Sequence, residues 1–537
     1  MVGGAVLAAV VVYTVMLGLL GRSSMRRGAR AEEFVTGGRR LSVGQVFVLL
    51  TAMWASWMTV TELDSAYQVG VSAVWFGAAV VIMSLVVGFL FATPFRRLGY
   101  VTGSGLIGER FGTTARTLAA LVIGLTFPIF AMGNVLAAAA FLHLMTGWPL
   151  WTDELVILLA ITGYVSLAGM WTLAYTQAGN LAMMFVGLAV TVAWALTRTG
   201  PLPPVPALAG GVPPYALLGI GLGPILVWVL SDLVNVVSAQ VEFQAVTAVR
   251  DPQAARRAVY LSSFALIPFM AAPVFLGLVA RSVAPGAISG VLAFPGLLAH
   301  APPVVEVFAV LTVWSAALTW TAPLLFSGAS SLGLDIGRGV RPGSSPSQLR
   351  RLTRWALLVQ IAAVIGYTAL RPGDVAWWQV FGLTLRNGAV FAPTVAILLW
   401  PGATQRAAVS SMVLGVASGL LWNAATAFSP TRFIWGVNPA WVGTVIAIAV
   451  LVVVSLVEQG ARLGWRRTGQ GRAVGALAIA ASAAGTIGVF AQPLRTSALL
   501  GPVALVGAVA LLIGVSLGTE LRPAPVAAGE PALVSVP

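Results

Sequence analysis

The sequence contains no cysteine and no lysine, and only two histidines, His143 and His300, among its 537 residues. Without cysteine there is no disulfide, thiolate metal site or cysteine nucleophile. The two histidines stand far apart in the sequence and form no metal-ligand spacing. Charge of either sign is scarce: 9% of residues are charged, and only 16 are Asp or Glu. All 30 cations are arginine, a usage that reads as the codon bias of a GC-rich bacterial genome. No DxD cluster and no long hydrophilic catalytic loop interrupts the chain, so a lipid-linked transferase is disfavoured and no enzyme activity is expected.

What fills the chain is apolar: 58% of residues are hydrophobic and the mean hydropathy is +0.94. No soluble domain has such a composition, which leaves an all-α polytopic membrane protein. Apolar segments of spanning length lie at 3–21, 42–62, 72–93, 117–145, 154–173, 176–197, 216–239, 259–280, 305–334, 354–370, 377–400, 408–427, 439–457, 473–491 and 498–518, about fifteen helices. With the N-terminus outside, 24 arginines fall in cytoplasmic loops and tail, five fall outside and Arg386 lies within a span. That asymmetry follows the positive-inside rule, so the N-terminus is expected outside and the C-terminus in the cytoplasm of a bacterial inner membrane. The net charge of +14 is therefore accounted for by topology and the lipid bilayer, with no call for nucleic acid.

Five helices occupy 42–197 and five more 215–400, joined by a Pro-rich outer loop at 198–214. Five is odd, so the second set enters from the opposite side, as inverted repeats do. Residues 1–41 hold an N-terminal helix and a basic loop, and 401–472 accessory helices and a second basic loop. An apolar hairpin at 473–518, read as a packing or oligomer surface, and a cytoplasmic tail at 519–537 complete the chain.

The stretch Leu41–Gly70 draws attention because its second half carries Thr51, Ser56, Thr59, Thr61, Glu62 and Asp64 within a spanning segment. Ionisable groups at membrane depth are costly and face a cavity, a partner or a path. Trp57, Thr61 and Asp64 stand at i, i+4 and i+7, one helical stripe that suits the wall of a site for a small polar solute. The counterpart is Gly219–Gln240, where Gly219, Gly221, Gly223 and Pro224 suggest an unwound outer half. It is followed by Ser231, Asp232, Asn235 and Ser238. Both leading helices are expected to be interrupted near the midplane. Arg386 reads either as the ion-pair partner of Asp232 or as an anchor for a solute carboxylate. Trp54, Trp57 and Trp320 are either packing residues or a cation–π surface for an amine.

Six motifs in order then resemble the solute:sodium symporter family over roughly residues 1–457. Ala31–Leu41 (AEEFVTGGRRL) is similar to its acidic-aromatic segment after the first helix, and YQVGVSAVWF to its Y-x-x-G-x-x-A-x-W. RRLGYVTGSGLIGERFG resembles its RRLG…RFG loop, and YVSLAGMWTLAYTQAGN its Y-x-x-x-GG…TD-x-x-Q. QVEFQAVTAVRDPQAARRA and Ala316–Asp335 are similar to its inner loop and its ninth-helix signature. The resemblance implies a LeuT-type five-plus-five fold and a transporter that couples solute to Na+ by alternating access. Carried over by position, it implies sodium ligands from backbone at Ala52 and Ala55 (or their neighbours Thr51 and Trp54) and from Ala316 and Thr319. The sequence departs at Trp320, where the family has a second hydroxyl, at Gln177, where it has Asp, and at Ala245, where it has Arg. Those losses, with the new charges Asp64, Asp232, Glu242, Glu306 and Arg386, keep H+ as an alternative coupling ion. They also keep open uncoupled exchange of an amine-bearing solute and a transporter-shaped sensor or scaffold.

Overall fold

A computed structural model of the chain describes residues 2–23, 34, 36–100, 102–208, 211, 213–238, 240–287, 290–298, 301–340, 343–371, 375–429, 432–466 and 470–521. Parts of the 31–41 segment, the ends of the 287–300 segment and the tail beyond 521 lie outside them. The architecture is helical, with one short antiparallel pair of strands, Leu463–Trp465 and Thr519–Leu521.

The local starts and stops are those the residues dictate. Ser42 caps the Val43–Val69 helix through a capping box with Gln45, and Ser345 does the same with Gln348 for Pro346–Leu370. Asp251 caps Pro252–Ala265, whose first-turn proline needs no partner for an N–H it lacks. Gly70, at φ 67°, ends Val43–Val69, and any Cβ there would lie 2.2 Å from the Pro214 carbonyl oxygen. The same carbonyl accepts from Val71 N at 2.8 Å, so the Pro-rich loop is pinned to this corner.

Among the described residues, twelve helices are long and apolar enough to cross a membrane, or thirteen if Leu222–Asn235 and Gln240–Thr247 count as one bent span. That is fewer than the fifteen expected. Two expected spans fall in one 56-residue helical run, Val43–Leu98, turned by a 3-10 segment at Gly70–Ala73. The span expected at 154–173 is the 19-residue helix Leu150–Ala168, whose first turns contain Asp153 and Glu154.

Pro303–Ser330 is the axis of the bundle, packed against Gly103–Thr146, Met170–Thr199 and Val43–Val69. Its apolar window is 78% buried, whereas that of Gln470–Thr496 is 6% buried and leaves its surface for lipid. The added hairpin is tied back where Trp400 Nε1 donates to Thr519 Oγ1 at 2.9 Å.

The expected interruptions are only half present. Val43–Val69 is an unbroken helix, within which Ser56 and Thr59 return their hydroxyls to Met53 O (2.6 Å) and Ala55 O (2.7 Å). It is nonetheless buried along most of its length rather than facing lipid. The second leading helix is broken, with a 49° bend between Leu222–Asn235 and Gln240–Thr247. The break does not fall at the glycine cluster. Gly219 and Gly221 precede the helix, with Gly221 at φ 80°, and the bend falls between Asn235 and Gln240.

Candidate functional site

The bend places two stretches of chain, Asn235 on one side and Val241 and Glu242 on the other, against a cavity of about 340 Å³. Val43–Val69 contributes Met53, Trp54 and Trp57; Gly103–Thr146 contributes Phe127 and Phe130; Pro303–Ser330 contributes Trp320 and Leu324; Arg386 closes the far wall. A second cavity of about 390 Å³ lies on the other face of Val43–Val69. Its lining of Val60, Leu63, Phe141, Leu276, Phe294 and similar residues carries no charge and only threonine hydroxyls. A polar solute is better served by the smaller one.

Three tryptophans make the inner wall. Trp57 stacks on Trp320 at 5.1 Å with 13° between planes, and Trp54 sits 5.5 and 5.6 Å from the two. Trp320 Nε1 donates to Phe130 O at 2.8 Å, which fixes the ring that occupies the family's hydroxyl position. Arg386 ends the Val375–Arg386 helix where it passes into a π-helical turn, Asn387–Phe391. Its guanidinium donates to Asn235 Oδ1 and lies over Phe130, 4.2 Å from the ring centroid. Asp232, buried beside it on the next turn from Asn235, attracts it electrostatically. The ion pair with Asp232 read from sequence thus takes a mixed form: Asp232 supplies charge and Asn235 the hydrogen bond.

Of the solute residues expected from sequence, Trp57, Asn235 and Arg386 meet in this cavity, with Asp232 behind Arg386. Thr61 is half-buried and is not among the residues lining it. Asp64 points elsewhere: its Oδ1 accepts from Gly290 N at 2.7 Å and Val291 N at 3.3 Å, capping the Gly290–Leu298 helix. Tyr67, one turn on, donates to Ala284 O at 2.5 Å, so this face of the helix holds the outer segment in place. Glu62 is fully buried against Gly77, where a Cβ would sit 1.7 Å from its Oε1. Glu242, Phe127 and Phe130 were not singled out as lining residues by the sequence. The only signal for Glu242 was an acid out of place in an inner-loop motif.

The positions carried over for sodium do not form a ligand set here. Ala52 and Ala55 lie inside the unbroken helix, where their carbonyls stay along its axis. Asn134 Nδ2 donates to both Ser56 O and Ala316 O at 3.4 Å, so a neutral amide bridges the two helices where a cation would. Gln177 Nε2 donates to Thr319 O at 3.0 Å. Thr51 Oγ1, Thr319 Oγ1 and Gln177 Oε1 remain buried without hydrogen-bond partners. Hard cations need several converging oxygens, and this arrangement supplies hydroxyls without freed carbonyls.

One end of the bundle is shut by a polar layer. Asp335 accepts from Thr102 Oγ1 and Ser104 Oγ at 2.7 Å each. Gln240 donates to Ser327 O and accepts from Gly103 N and Ser331 Oγ, all at 2.9 Å. Gln240 sits at the bend itself, so the lock and the break share a residue.

A bundle of this kind, with a broken leading helix beside an enclosed cavity, defines a LeuT-type membrane transport fold. A Na+-coupled sialic acid symporter, solved in a substrate-bound outward-open state, superposes with a TM-score of 0.69, covering 85% of this chain and 98% of that one at 16% identity. At that identity the likeness is one of fold. Residues 34–415 match the sodium:solute symporter family, and the chain belongs to it. Sodium-coupled monocarboxylate transporter 2 is similar over a shorter stretch: the human protein is 32% identical over 177 residues, and the Danio rerio protein 30% over 176. Each of those matches covers 33% of this chain and 28% of the relative, so less than a third of the length of those relatives is matched. The osmoregulated proline transporter OpuE of Bacillus subtilis is 21% identical over 486 residues, 85% of this chain and 96% of that one.

Proposed function

We propose that the chain is a secondary active transporter that moves a small polar solute by alternating access through the cavity at the bent helix pair. The observation that carries this reading is the bend itself: it sets Asn235 and Glu242, from either side of one interrupted span, into a buried chamber with Arg386. In this proposal Trp57, Asn235 and Arg386 touch the solute, Asp232 holds Arg386, and Asp64 positions the outer helix with Thr61 on the same flank. The arginine distribution supports an N-terminus outside and a C-terminus in the cytoplasm of a bacterial inner membrane.

Sodium is the coupling ion that family membership and the sodium-coupled relatives favour. A second reading, proton coupling or uncoupled exchange, is supported by Trp320 at the hydroxyl position and by the unbroken helix at Ala52 and Ala55. Uptake by proteoliposomes of the purified full chain distinguishes them. A sodium gradient alone drives accumulation in the first reading, and a proton gradient alone, or neither, in the second. No solute movement under any gradient removes the transporter reading.

A further inference from the structure

We propose that Glu242 is the counter-ion for a positively charged amine on the solute, so that the cavity takes small organic cations in preference to anions. The inference rests on the reading of this cavity as the solute site, and it adds the charge of the ligand.

Two charged side chains line the cavity, Glu242 and Arg386. Arg386 is provided for: Asn235 accepts its hydrogen bond, Phe130 faces it at 4.2 Å, and Asp232 balances its charge from behind. Glu242 has no such company. It is 2% exposed, and neither carboxylate oxygen has a hydrogen-bond partner. The nearest donor is the Trp54 indole N–H, which faces the carboxylate from outside full hydrogen-bond geometry and brings no charge to it. Buried carboxylates are paired or hydrogen-bonded because an isolated one is costly, and here the carboxylate lines the cavity where a partner would enter.

Of the ionisable groups around the chamber, Asp232 and Arg386 offset each other, and Glu242 is left without a counter-ion. The walls suit a cation in a second way. Trp54, Trp57 and Trp320 bring their rings together at 5.1 to 5.6 Å, and ring faces attract ammonium groups. An anion meets the reverse, since Arg386 already has its partners and Glu242 repels it. Glu62 and Glu154, buried acids that likewise have neither oxygen in hydrogen-bond geometry, carry no comparable inference, because they line neither of the two cavities described.

The absence of cysteine makes the test direct. Leu324→Cys and Met53→Cys each place one thiol in the cavity wall of the full chain. Each is modified with methanethiosulfonate reagents bearing ethylammonium or ethylsulfonate, and rates are normalised to a free thiol in solution. The cationic reagent is expected to win by at least about tenfold, and propylammonium, but not propionate, slows the reaction. Adding Glu242→Gln removes the preference, and Glu242→Asp keeps it. Equal rates, an anionic preference, or a cationic preference that survives Glu242→Gln overturns the proposal while the cavity reading stands. If neither thiol reacts with either reagent, the chamber never opens to water, and the cavity reading falls together with the proposal.

Discussion

The two leading helices are equivalent by position and opposite in build. Val43–Val69 runs unbroken, returns the Ser56 and Thr59 hydroxyls to its own carbonyls, and shows the cavity a wall of tryptophan. The second is bent by 49° and shows the cavity Asn235 and Glu242 from its two halves. The contrast teaches that a polar residue in a membrane helix does not by itself open the backbone. Here Ser56 and Thr59 bond back to carbonyls of their own helix, and the helix stays whole. The second helix breaks because its neighbours hold both sides of the bend: Ser238 Oγ donates to Asn387 Oδ1 at 2.8 Å, and Gln240 is held by Ser327, Ser331 and Gly103.

The contrast can be broken from either side. The largest effect is expected at the bent side. Arg386→Ala strips Asp232 of its opposing charge and is expected to cost about 3–5 kcal/mol, read as a lowered thermal midpoint in nanodiscs. Pairing it with Asp232→Asn is expected to restore much of the loss. On the unbroken side, Gly77→Ala drives a methyl into Glu62 and is expected to cost about 1–3 kcal/mol. Glu62→Ala in the same chain relieves it, whereas a Gly77→Ala chain as stable as the parent shows that the Val43–Val69 contact is loose. The smallest effect is expected at Asp64. Asp64→Ala removes a cap from the Gly290–Leu298 helix and is expected to cost about 1 kcal/mol, leaving amine protection of a cavity thiol unchanged. Loss of that protection returns Asp64 to the solute site.

Much of this was legible in the sequence because hydropathy and motif order are local properties. The apolar runs and the family resemblance needed no tertiary knowledge. Trp57, Asn235 and Arg386 were readable as polar or aromatic groups at membrane depth, and they converge. Asp64 was readable in the same terms and diverges, since its partner is a helix N-terminus 226 residues away in sequence. The site of the break was not legible: the glycines that advertise one stand ahead of the helix, and the true bend is fixed by side chains from Ser327, Ser331 and Asn387. Glu242 was visible only as an odd acid in a loop motif, because its first-turn position in Gln240–Thr247 depends on that bend.

The central claim is that the bent pair moves against the Pro303–Ser330 axis, and pulsed electron spin resonance on this cysteine-free chain measures it. Labels at Arg250→Cys, beyond the bent pair, and Val340→Cys, beyond Asp335, are both at exposed positions that flank the polar lock. Two distances are predicted, with populations that shift when sodium replaces potassium or when the pH changes. A single distance, unchanged by ion, pH and propylammonium, contradicts the account.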